Sequence, residues 1–150
     1  MKRLLSVILV LSLLLAGCSG YNNTGKSAEM TENQIILELG HINQWIIIFY
    51  YNNSLYDIDA YLDDPEGINI DQAVQNEATY YEKAIKYDIF IQGLDSRKYG
   101  KYKDAWNSIF DEINRIHTYL TENGADGLEF DSDYFLRLHD RLHYRRKEFL

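Results

Sequence analysis

Between Tyr102 and Leu120 the large apolar side chains return on a fixed rhythm. Tyr102, Trp106, Ile109, Ile113, Ile116 and Leu120 stand four, three, four, three and four residues apart. On an α-helix this spacing makes a single narrow stripe, the seam of a helix that packs lengthwise on another. Glu122-Asn123-Gly124 ends the segment, with Gly124 free to take the left-handed conformation. A helix of this kind needs partner helices, and the composition allows them. One proline and nine glycines in 150 residues favour long helices over a turn-rich all-β fold.

The partners can be found on both sides. Thr31 and Gln34 fit a reciprocal cap at the start of a first helix. Ile35, Leu39, Ile42, Ile46 and Phe49 then fall on one face. The centre, Trp45 to Tyr51, is apolar all round. It fits a buried helix or, because β-branched and aromatic residues favour strands, a strand. The flanking pattern favours helix. Asn52-Asn53-Ser54 is a place for a kink, after which Leu55, Ile58 and Leu62 resume slightly out of phase. Pro65 stops the segment. A second helix is expected from about Asn69 to Gln92, with an Asn69–Gln72 reciprocal cap. Its inward face would be Ile70, Val74, Ala78, Tyr81, Ile85 and Ile89. Gly124 to Phe130 reads as a loop. Asp131 or Ser132 then caps a fourth helix to the C-terminus, turning Phe135, Leu138, Leu142 and Phe149 inward. The fold class is therefore all-α, an antiparallel bundle of about four helices with the first as its central member. The domain occupies residues 31–150.

What precedes this domain is of another kind. Residues 1–17 begin with Lys2 and Arg3 and continue as an apolar run to Leu15-Ala16-Gly17, just before Cys18. The run is too short for a spanning helix and has the outline of a secretory signal. Residues 18–30 are small and polar and read as a flexible tether. With its LAGC sequence, the stretch from Met1 to Cys18 resembles the signal peptide and lipobox of bacterial lipoproteins. The resemblance covers those 18 residues alone. It implies cleavage before Cys18, a diacylglycerol on the Cys18 thiol and acylation of the new N-terminus. It also implies a lipid-anchored place on the extracytoplasmic face of the cell membrane, or on the outer membrane of a cell that has two.

Charge narrows the partners. The chain carries −8, and removing Lys2 and Arg3 with the signal leaves −10 for residues 18–150. So acidic a chain is repelled by phosphate backbones, so nucleic acid is not an expected partner. The only cysteine, Cys18, is taken by the lipobox, so the domain depends on packing rather than on a disulfide.

Two features of the fourth helix bear on function. His139 and His143, at i and i+4, share a face and can both reach one zinc ion. The spacing is that of H-E-x-x-H, but Asp140 stands where the general-base glutamate would be, and no third ligand follows. A solvated pair of histidines is the simpler reading. Arg137, Arg141 and Arg145 form a basic stripe, followed by Arg146 and Lys147. It is either a solvated face or a surface for an acidic partner or anionic head groups. Elsewhere, His41 and His117 lie on apolar faces, as core histidines would. Two acidic loops, at Asp57–Asp71 and Asp126–Asp133, lack EF-hand spacing. The tyrosines at 80, 81, 87, 99, 102 and 119 fit core and rim better than a binding surface. No nucleophile motif, phosphate loop or catalytic carboxylate pair is present in the sequence.

The expectation is a non-enzymatic interaction module at the cell envelope, of the immunity, exclusion or assembly type. It would be held by lipid on Cys18 and would meet a protein through Arg137, Arg141 and Arg145, with no cofactor beyond that lipid. The alternative is a small-ligand or metal-binding lipoprotein using His139 and His143.

Overall fold

In the computed structural model, residues 30–150 are described, and Thr31–Leu150 pack into one compact unit. The leader, Cys18 and the polar tether up to residue 29 lie outside the described residues. The unit is all-α, with four rods joined by short turns. The first rod is continuous through α1 (Glu32–Trp45), a π-helical segment (Ile46–Leu55) and α2 (Tyr56–Asp63). The others are α3 (Ile70–Gln92), α4 (Ser96–Asn123) and α5 (Ser132–Lys147).

The ends follow local chemistry. At the start of α1 the Gln34 amide donates to the Thr31 hydroxyl at 3.4 Å, while the Thr31 amide donates to Gln34 Oε1 at 2.8 Å. This is the reciprocal cap expected there. The rod stops at Asp64, held extended at φ −150° by the following proline. Asn69 caps α3 by accepting from the Gln72 amide, but the return bond is not made. The Gln72 side chain donates to Asn76 instead. Asp95 and Asp131 cap α4 and α5. Gly124, at φ 74°, supplies the turn that L side chains resist. The fourth rod ends at Lys147 rather than at the C-terminus, and Phe149 folds back onto Tyr99 and Tyr102.

Paired side chains give the topology. Tyr81 donates to Asn114 and Trp106 to Asp88, so α3 and α4 run antiparallel. Tyr50 meets Glu77 while Trp45 meets Tyr87, which makes the first rod antiparallel to α3. Tyr51 stacks near Phe135 while Asn43 meets His139, which does the same for α5. The bundle is therefore up-down-up-down, closed by α5 against α1 and α4. All six seam residues of α4 are buried, as the rhythm required.

The Trp45–Tyr51 stretch is helical, and the kink expected at Asn52–Ser54 is instead a π turn. In its i→i−5 pattern the Tyr56 amide reaches the Tyr51 carbonyl. The wider turn keeps Ile46, Tyr50, Ser54 and Leu55 on the buried side, which absorbs the phase slip seen in the sequence. The stretch is not enclosed all round. Ile48 and Phe49 are about half exposed, because this rod is one wall of the bundle and touches neighbours on its inner sides only.

The inward face of α3 also differs from expectation. Ala73, Glu77, Ala84 and Ile91 are buried, while Ala78 and Ile85 are exposed and Ile89 is 69% exposed. Small alanines let the backbone approach its neighbours, and the flanking tyrosines fill the sides. The helix is therefore rotated away from its bulkiest aliphatic stripe.

Candidate functional site

Three groups of polar residues are positioned by this fold. The first is the outer face of α5. Phe135, Leu138 and Leu142 anchor the helix inward, which turns Tyr134, Arg137, Arg141 and Tyr144 outward at helical spacing. Arg137 is 65% exposed and meets only Asp131 Oδ2, at 3.7 Å. Its guanidinium lies 5.8 Å from the Tyr134 ring. Arg141 enters no ion pair among the described residues. Arg145 stands apart from the other two: it is partly buried, bridges Glu148 and lies over Tyr144. The basic stripe is thus split: Arg137 holds a long exposed pair to Asp131, Arg141 is unpaired among the described residues, and Arg145 is tied to its own helix end.

The second group lines a groove of about 300 Å³ between the first rod and α5, formed by Asn43, Gln44, Ile47, Ile48, His139, His143 and Arg146. The two imidazoles lie 6.2 Å apart between centroids, nearly parallel at 20°. His139 Nε2 is 3.2 Å from the Asn43 carbonyl, and its Nδ1 is 3.8 Å from Asp140. Burial makes His139 harder to protonate, so its pKa falls below the usual histidine value. The Asn43 carbonyl and Asp140 oppose that shift. With Nε2 engaged by a carbonyl and Arg146 lining the same space, the pair suits a cation poorly. Among the described residues no group of three His, Cys, Asp or Glu could hold a metal ion.

The third group is buried. Glu77 is 1% exposed and joins three rods. Its Oε1 accepts from the Tyr50 hydroxyl at 2.9 Å, and its Oε2 lies 2.9 Å from His117 Nδ1. The His117 ring stacks on Tyr81 at 3.6 Å between centroids. Burial raises the Glu77 pKa, while the bonds from His117 and Tyr50 hold it down. Burial also raises Tyr50 well above the ordinary tyrosine value. A carboxylate-oriented histidine resembles half of a hydrolytic triad, but among the described residues no serine, threonine or cysteine hydroxyl or thiol is bonded to the His117 ring; Thr121 donates to the His117 backbone carbonyl. The cluster ties the first rod, α3 and α4 together.

The remaining sequence candidates divide. His41 is not a core histidine: its side chain is 66% exposed beside Glu38, because its position lies outside the buried Leu39–Ile42–Ile46 stripe. His117 is partly buried, as expected, but its carboxylate partner was not foreseen. Tyr99 and Tyr102 are core, and Tyr80, Tyr81, Tyr87 and Tyr119 form the rim. In the acidic loops Asp126 accepts from Tyr61, and Asp131 caps α5. The residues that sequence spacing missed are Glu77, Asn43 and the Gly40–Arg146 pair. A glutamate or asparagine at a core heptad position, and a glycine inside a helix, were the available signals.

No family model matches the chain, and neither a curated protein nor a solved structure does. The class is that of a four-helix, up-down-up-down bundle. Among the described residues no helix is long and apolar enough to cross a membrane.

Proposed function

We propose that this is a lipid-anchored protein of the extracytoplasmic membrane face whose bundle docks an acidic protein through the outer surface of α5, without catalysis of its own. The anchor rests on the Met1–Cys18 pattern. The docking role rests on one observation: Tyr134, Arg137, Arg141 and Tyr144 stand exposed in one row, with Arg141 unpaired among the described residues. Tyrosine and arginine are the residue types enriched at protein interfaces, because each brings large contact area and directed polar groups. An immunity, exclusion or envelope-assembly role is of this kind. Crosslinking in native membranes tests the reading. Arg137→Glu with Arg141→Glu is expected to abolish capture of the dominant partner and leave helicity unchanged. Unchanged capture would remove the α5 face from consideration. The anchor is tested separately with a fatty-acid alkyne. Label incorporation is expected in the wild type and not in Cys18→Ser.

A further inference from the structure

The groove between the first rod and α5 is chemically unlike the surrounding surface. No carboxylate lines it, in a chain whose net charge is −8. Arg146 enters none of the ion pairs among the described residues. Its Nε is buried without a hydrogen-bond partner, and so is Oδ1 of Asn43, a residue only 3% exposed. Such atoms cost stability while unpaired, so a groove whose lining residues carry two of them is short of a partner. Asn43 is fixed in this orientation because its amide nitrogen donates to Leu39 O at 2.7 Å and to Tyr102 Oη at 3.2 Å. Arg146 is fixed because its guanidinium lies on Gly40, where a Cβ would stand 2.9 Å from Nη2. Gly40 thus makes the seat for the guanidinium.

We propose that this groove binds a phosphate ester with a hydroxylated, partly apolar substituent. The phosphoryl oxygens accept from Arg146 and His143, a substituent hydroxyl donates to Asn43 Oδ1, and the carbon portion lies on Ile47 and Ile48. The planar guanidinium fork matches two phosphoryl oxygens at once. A carboxylate without a hydroxyl would satisfy Arg146 but would leave Asn43 Oδ1 without a donor. This site lies on a different stripe of α5 from Arg137 and Arg141, so it stands or falls independently of protein docking.

The test uses the full chain in a nonionic detergent. Backbone and histidine side-chain resonances are followed by NMR during titration with inorganic phosphate or with short-chain phosphatidylglycerol. Saturable shifts confined to residues 40–48 and 139–146 are expected. Arg146→Gln should weaken binding at least about tenfold. Gly40→Ala, which unseats the guanidinium without removing it, should weaken binding while helical content is kept. Saturation by phosphatidylglycerol alone identifies a lipid head group as the source. Equal saturation by inorganic phosphate would show that the phosphoryl group alone is recognised, and would overturn the substituent contacts with Asn43, Ile47 and Ile48. The proposal is overturned if neither probe gives saturable groove shifts, or if binding is unchanged in both variants.

Discussion

Two titratable residues, one buried and one partly buried, pull the stability of this protein in opposite directions with pH. Burial lowers the folded-state pKa of His139. The unfolded chain therefore binds more protons in the window below the free-histidine value of about 6.5. The stability involved is present above that value and is lost as pH falls through the folded pKa. Asp140 and His143 face the same ring. His139→Gln should therefore shrink the drop in Tm between neutral and mildly acidic buffer, measured by circular dichroism against wild type. Glu77 has a raised folded pKa, so its contribution is present below the unfolded carboxylate value and is lost as pH rises through the folded one. Its bonds matter more than its charge. Glu77→Gln keeps an acceptor for Tyr50 and removes a buried charge, and should cost no more than about 1 kcal/mol. Glu77→Ala strands Tyr50 and His117 together and should cost roughly 3 kcal/mol or more in urea unfolding.

At the scale of single helices, the span of α3 was legible but its inward face was not, whereas the buried face of α4 was, and the reason is visible in their outward residues. Outside its apolar seam α4 carries mostly polar and charged side chains, so only one face could be core. On α3 the isoleucines at 85 and 89 point outward, while alanine and glutamate point inward, so counting bulk apolar residues selected the wrong stripe. Shape complementarity and a buried hydrogen-bond network decided the rotation, and neither is encoded in spacing. Ile89→Glu should accordingly change unfolding free energy by less than about 0.5 kcal/mol. Ile113→Ala, fully buried in the seam, should cost about 2–5 kcal/mol. The π segment was legible only as a phase slip. The histidine pair was legible as a pair, but the arginine, asparagine and glycine that define its groove come from positions about a hundred residues apart.

Along the chain, charge is distributed unevenly: a net acidic sequence gathers Arg137, Arg141, Arg145, Arg146 and Lys147 on its last helix. Long-range attraction to an acidic partner is screened over about 8 Å at physiological ionic strength. Capture through Arg137 and Arg141 should therefore weaken steeply as salt is raised, mainly through slower association. A second property follows from where the aromatics sit. The two tryptophans are both buried but belong to different rods, Trp45 beside Lys83 in the first and Trp106 bonded to Asp88 in α4. Each is a built-in optical reporter of its own part of the bundle. Trp45→Phe and Trp106→Phe would isolate their emission, and coincident red shifts on denaturation would show that the π-containing rod and the heptad rod melt as one cooperative body.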